Sequence, residues 1–194
     1  MKAVALEHYL PVDDPNAFLD VELPTPIAAG RDLLVAVKAV SVNPVDTKVR
    51  RSQPDKVEHP PRVLGWDASG IVEAVGPDVT LFKPGDEVYY AGDITRSGSN
   101  AEFQLVDERI VGLKPKSLGF AEAAALPLTT ITAYEAFFDR LGIDRDGADK
   151  GQSVIIIGAG GGVGSIAIQL AKAAGLVVIA TASRPETEAW VTEL

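Results

Sequence analysis

Cysteine is missing from all 194 residues of the chain. That absence excludes disulfides, thiolate-bound zinc, iron–sulfur ligation and a cysteine nucleophile. Histidine is scarce: His8 and His59 are the only two, far apart in sequence and without a companion ligand or nucleophile, so both read as structural or solvated. Positive charge is in deficit, with 18 Lys and Arg against 27 Asp and Glu and a net charge of -9. This balance argues against nucleic acid or an anionic membrane as partner, since both need a basic footprint. Long apolar runs are missing too; nothing approaches the ~18 residues of a membrane span. The short apolar run at Met1–His8 is interrupted by Glu7 and His8, unlike a secretion signal. The expectation is a soluble, cytoplasmic protein.

Hydrophobic residues make up 46% and charged residues 23%, an ordinary globular balance. A chain of this length forms one domain or two small ones and buries about 70% of its unfolded surface. Its texture changes near residue 116. Before that point, Pro and Gly punctuate short β-rich runs at Leu33–Val42, Ala68–Val75, Asp86–Tyr90 and Ala101–Val106. Lys83-Pro84-Gly85-Asp86 reads as a type II turn. This is the pattern of an antiparallel barrel or sandwich.

Beyond residue 116, Ser117–Leu126 reads as a helix with Ser117 as N-cap, Pro127 breaks it, and Thr129–Leu141 reads as a second helix. Gln152–Ile157 is a continuous apolar run, as expected of a parallel strand covered on both faces. A glycine-rich turn follows, then Val163, Ile166, Ala167, Leu170, Ala171 and Ala174 at helical spacing, then a strand at Leu176–Ala180. Strand, helix, strand makes a βαβ unit. Arg184–Leu194 opens another helix. One βαβ unit leaves apolar strand edges uncovered, so the chain is expected to be a fragment or a truncated gene product; a small complete α+β domain is the alternative, and it leaves those edges open.

Gly158-Ala159-Gly160-Gly161-Gly162-Val163-Gly164 stands between a buried strand and an amphipathic helix, the context a dinucleotide fingerprint requires. The strict spacing reads Ala159-x-Gly161-x-x-Gly164, with alanine in the first glycine's place. Such a turn brings backbone close to a pyrophosphate at a helix N-terminus. A carboxylate at the end of the second strand would bind the ribose 2′-OH of NAD. Here that strand runs into Thr181-Ala182-Ser183-Arg184, and Glu186 lies beyond Pro185. Ser183 and Arg184 suit a 2′-phosphate, so NADPH is expected over NADH.

The ordered set Ser41–Asp46, Gly65-Trp66-Asp67-Ala68-Ser69-Gly70, Val72–Gly76, Pro84–Val88, Ala125–Tyr134 and the glycine-rich turn resembles the medium-chain dehydrogenase/reductase superfamily over essentially the whole chain, in its quinone oxidoreductase branch. The resemblance implies α/β plus β architecture: a GroES-like antiparallel barrel-type catalytic domain over 1–125 and the first part of an NADP-binding Rossmann domain over 126–194. It implies a homodimer for the full-length form. Zinc alcohol dehydrogenases of the superfamily place ligands where this chain has Asn43, Trp66 and Leu128, and their four-cysteine lobe is replaced by a short loop, Ala91–Gly98. No zinc is therefore expected.

Without a Lewis acid, alcohol oxidation is disfavoured. Hydride transfer from NADPH to a quinone or an α,β-unsaturated carbonyl needs mainly positioning. By resemblance, Asn43, Asp46, Trp66 and Thr129 are the catalytic set. Thr129, Thr132, Ala159, Gly160, Gly161, Gly162, Val163, Gly164, Ser183 and Arg184 hold the coenzyme. Each has a plainer alternative: Asn43 as cap of a helix at Pro44–Arg51, Asp46 paired with Arg50, Trp66 as core, the threonines satisfying local backbone. Lys48, Arg50 and Arg51 read as a solvated basic helix face, and Tyr89-Tyr90 as packing. An enoyl-thioester reductase of the same superfamily and a non-catalytic NADPH-binding protein are the alternative functions.

Overall fold

The computed structural model describes residues 1–51 and 56–194. They form two compact units, Met1–Leu128 and Thr129–Leu194.

The first unit is built on two antiparallel sheets. Strands β1 (Lys2–His8), β2 (Leu19–Glu22) and β4 (Val57–Val63) form one, in the order β2-β1-β4. Strands β3 (Asp32–Ser41), β5 (Asp67–Val75), β6 (Glu87–Ala91), β7 (Phe103–Asp107) and β8 (Val111–Leu113) form the other, in the order β7-β3-β5-β6-β8. Alternation drives it: Val88 and Tyr90 on β6 and Gln104 and Val106 on β7 point inward while their neighbours do not. Leu33, Val35, Ala68 and Val72 complete that core. Tyr90 keeps its hydroxyl satisfied there through Gln104 Oε1 at 3.0 Å. The turn at Lys83–Asp86 closes as its sequence requires, with Asp86 N–H donating to Lys83 O at 3.2 Å and Gly85 at φ +92°.

Two short helices belong to this unit. Helix α1 spans Pro44–Arg51. Its Arg50 is not on a solvated face: it donates to Leu10 O at 2.7 Å and lies over the Phe18 ring at 4.4 Å. Helix α2 covers only Phe120–Ala124, and its N-cap is Gly119, not Ser117. The chain at Pro115–Leu118 is instead closed as a turn by Leu118 N–H to Pro115 O. Pro127 disfavours helical backbone at Leu126, which ends α2 early.

Pro127 then opens helix α3 (Pro127–Tyr134), two residues ahead of the sequence expectation, because proline at the first helical position loses no hydrogen bond. From Glu135 to Arg140 the helix widens to π geometry, with Leu141 N–H reaching Ala136 O. That turn buries Phe137 and sets Phe138 edge-on to Tyr134 at 4.7 Å. Strand β9 (Ser153–Ile156), helix α4 (Gly162–Ala173) and strand β10 (Val177–Ala180) follow, β9 and β10 pairing in parallel. Helix α5 spans Pro185–Glu193. The buried stripe of α4 runs through Gly164, Ala167, Ile168 and Ala171; Ile168 is inside, and Val163 is 39% exposed. The small alanines let the helix lie close on Ile156 and Leu176. Among the described residues, no helix is long and apolar enough to cross a membrane.

Candidate functional site

Within the first unit, Asn43 precedes α1 and is buried, as is Asp67 at the start of β5. Asn43 Nδ2 donates to Asp67 Oδ2 at 2.7 Å, and Leu128 N–H donates to Asp67 Oδ1 at 2.9 Å. The Asn43 amide nitrogen is therefore turned to Asp67. Asp46 makes a local contact, accepting Asn43 N–H at 2.6 Å, the reach-back half of a capping box. It does so while Arg50 turns to Leu10, so the Asp46–Arg50 pairing is replaced.

Burial raises both carboxyls. Asp67 is pushed up by desolvation, opposed by the Asn43 and Leu128 N–H groups and reinforced by the Asp46 charge. Asp46 is also pushed up by desolvation, opposed by N–H groups that include those of Asn43 and Gly65. Trp66, 5% exposed, packs with Leu6, Tyr9 and Leu64, with Val45, Val49 and Leu128 at the margin. Sequence reasoning missed Asp67, although it directly follows Trp66; its partner lies 24 residues away.

The positions at which resemblance places zinc ligands thus carry an amide, an indole and an aliphatic side chain. The adjacent carboxylate already accepts an N–H on each oxygen. Among the described residues, no three His, Asp or Glu side chains converge. This donor chemistry does not fit a zinc ion.

In the second unit the glycine-rich turn lies between β9 and α4. Gly158 leaves the strand at φ +66°, open only to glycine at low cost. Gly158 N–H donates to Thr181 Oγ1 at 2.9 Å and Ala159 N–H to Thr181 O at 3.0 Å, so one residue past β10 holds the turn twice. A Cβ on Gly164 would lie 2.6 Å from Ala159 backbone atoms; this glycine lets α4 pack on the turn. A Cβ on Gly161 would meet only Gly158 O, at 3.4 Å. Gly161 is the N-cap of α4 and offers no capping side chain, so the amides of Gly162, Val163 and Gly164 open the helix uncapped.

Thr129 on α3 approaches this end of the helix: a Cβ on Gly162 would sit 3.2 Å from its methyl group. Thr132, one turn further along α3, is exposed. A cleft of about 520 Å³ is lined by Gly158, Gly160, Gly161, Thr181, Ser183 and Arg184, with Ile157, Ala182 and Thr187 completing it. The structure thereby brings the turn, Ser183 and Arg184 together. The bare helix end, the close backbone and a guanidinium at the rim fit a diphosphate with an attached phosphoribose. Thr181, in a loop, and Thr187, in the first turn of α5, went unrecognised in the sequence because a lone threonine carries no signal of its own.

Comparison with known proteins bears on the same residues. The alcohol dehydrogenase GroES-like domain matches residues 29–135. A zinc-type alcohol dehydrogenase-like protein of Staphylococcus aureus is 51% identical over 100% of this chain and 57% of its own length. A 2-methylene-furan-3-one reductase of Solanum lycopersicum is 41% identical over 89% of this chain and 44% of its own. Among solved structures, a Rhizobium etli protein assigned provisionally to the zinc-dependent alcohol dehydrogenases superposes with TM-score 0.92 at 61% identity, over 100% of this chain and 56% of its own. A quinone oxidoreductase from Coxiella burnetii gives 0.83 at 32% identity, over 100% and 59%. A mycobacterial protein complexed with NADPH gives 0.80 at 28%, over 100% and 56%. The chain spans a little over half the length of the curated Staphylococcus aureus relatives it matches.

Proposed function

Because this chain belongs to the medium-chain dehydrogenase/reductase superfamily through its alcohol dehydrogenase GroES-like domain, we propose that it serves an oxidoreductase that reduces a quinone or an α,β-unsaturated carbonyl with NADPH and without zinc. The observation that carries this reading is the single cleft shared by an uncapped, glycine-lined helix N-terminus and by Ser183 and Arg184. When bound, NADPH supplies the hydride. The chain's own residues do the rest. The Gly162, Val163 and Gly164 amides hold the diphosphate, supported by the turn from Ala159 to Gly161. The Ser183 hydroxyl and the Arg184 guanidinium take the 2′-phosphate. Thr129, with Thr132 on the same face of α3, takes a ribose or amide group.

In the first unit, Asn43 turns one amide proton to Asp67 and keeps its remaining hydrogen-bonding capacity for a substrate oxygen. Asp46 fixes the Asn43 backbone, and Trp66 contributes an apolar wall. An electron-poor quinone or enone spreads the developing charge over its own conjugated system. It asks less of a site whose donor set does not suit a Lewis acid than an alkoxide would. The relatives that include a quinone oxidoreductase and an enone-type reductase support the same substrate class.

The test is coenzyme binding by this chain and coenzyme oxidation by a full-length form, since the piece alone is not expected to suffice for turnover, with metal analysis on the same sample. Expected are tighter binding of NADPH than NADH, oxidation in the presence of quinones or enones, and no response to chelator or added zinc. Equal affinity for the two coenzymes would remove the Ser183–Arg184 assignment. Stoichiometric zinc at Asn43 and Trp66 would overturn the metal-free reading. Acyl thioesters reduced faster than quinones would move the substrate class to the enoyl-thioester alternative.

A further inference from the structure

By chain order, β10 ends with no acid at its tip, and Glu186 lies past a proline. The fold cancels that distance. Arg184 is the extended N-cap of α5, at φ −137° and ψ 147°, and Pro185 starts the helix behind it. Thr187 Oγ1 accepts from Arg184 N–H at 3.3 Å and donates to Arg184 O at 2.8 Å, which pins this first turn. The turn brings Glu186 back beside its neighbour, with Glu186 Oε1 at 3.3 Å from Arg184 Nε. The guanidinium meant for a 2′-phosphate therefore already has a carboxylate partner at the rim of the cleft.

We propose that Glu186 sets how strongly this protein discriminates between nucleotides with and without a 2′-phosphate, by holding Arg184 in an ion pair that the phosphate must displace. The inference rests on the coenzyme reading above. The side chains of the pair are 67% and 69% exposed, so it is weak enough to be exchanged. A 2′-phosphate meets attraction from Arg184 and repulsion from Glu186 at the same point. A ribose 2′-hydroxyl meets no such conflict, because a carboxylate accepts a hydrogen bond from it. Arg184 thus tilts the site toward the phosphorylated coenzyme and Glu186 tilts it back. Glu188 stands in the same first turn of α5 and acts on the helix dipole in the same way, while the ion pair with Arg184 belongs to Glu186.

The test is titration calorimetry on the whole chain, with 2′,5′-ADP and 5′-AMP as probes, for wild type, Glu186→Gln and Glu188→Gln. Glu186→Gln is expected to tighten 2′,5′-ADP about fivefold, the upper end of what an exposed ion pair is worth, and to leave 5′-AMP equal or weaker. Glu188→Gln is expected to leave the ratio of the two affinities at the wild-type value. If wild type binds and Glu186→Gln does not change the ratio, or Glu188→Gln changes it equally, the inference is overturned and the coenzyme site stands. If neither probe binds any of the three proteins, the reading of the glycine-rich turn falls, and this inference with it.

Discussion

Asn43 Nδ2 sits 2.7 Å from Asp67 Oδ2, so a buried amide and a buried carboxylate hold each other across 24 residues of sequence. With Leu128 N–H on its other oxygen, Asp67 ties three separate segments together: the start of α1, the start of β5 and the start of α3.

Asp67 should make the first unit less stable as pH rises. Its carboxyl and that of Asp46 are pushed above the ordinary 3.8 by burial, so the native state keeps their protons to higher pH than the unfolded chain does. Stability is then greatest below about 3.8 for these two groups and declines as pH climbs through the folded values. Asp67→Asn should flatten that decline while still accepting from Leu128, and change stability by about 1 kcal/mol or less at low pH; Asp67→Ala, which strands both donors, should cost about 1–3 kcal/mol. Urea unfolding across the acid range checks both, and an unchanged slope in Asp67→Asn would remove Asp67 as its source.

Glu108 should act with the opposite sign. Its side chain is fully buried and accepts from Arg31 Nη1 at 2.6 Å, Leu81 N–H at 2.7 Å and Thr80 N–H at 2.9 Å. Desolvation raises its pKa, but the two amides and the guanidinium outweigh that and hold it below the ordinary 4.5. Its stabilisation is present above about 4.5 and lost as pH falls through the lower folded value. Glu108→Gln should lower the melting temperature at neutral pH and shrink the loss seen on acidification. A melting curve series from neutral to acid pH measures it.

Two glycines should separate folding from binding. Gly164→Ala forces a methyl group onto Ala159 backbone at 2.6 Å and should cost about 1–3 kcal/mol, with loss of nucleotide binding as a consequence. Gly161→Ala meets only Gly158 O at 3.4 Å, at an ordinary φ of −80°, so its melting temperature should stay near wild type while nucleotide binding weakens. Thermal melts paired with titration of NADPH distinguish the two. Equal binding by Gly161→Ala and wild type would argue that the diphosphate does not approach this backbone.

Arg184→Ala should cost NADPH about tenfold in affinity, the scale of one charge-assisted hydrogen bond, and leave NADH near its wild-type value. Parallel titrations with both coenzymes measure it. Equal losses for both would point to a role for Arg184 in starting α5.

What the sequence could reveal depended on how local the cause was. The type II turn at Lys83–Asp86 and the turn at Gly158–Gly164 are written in adjacent residues, and both could be located by reading along the chain. Helix ends were read less well. Ser117 has the chemistry of a cap, yet Pro115 and Gly119 settle the backbone there, and Pro127 acts as a helix opener as well as a breaker. The commitment of Asn43 to Asp67 and the return of Glu186 to Arg184 depend on where distant or turned segments meet. No spacing rule reports that.

Thr181 touches the glycine-rich turn with both its backbone carbonyl and its hydroxyl, only three residues before Arg184. It therefore works as a ruler. On the proposed coenzyme reading, the gap between the amides that would grip the diphosphate and the guanidinium that would read the 2′-phosphate is fixed by this three-residue spacing. A single insertion after Ala182 would shift the reader against the grip and retune which nucleotides fit, with every glycine still in place.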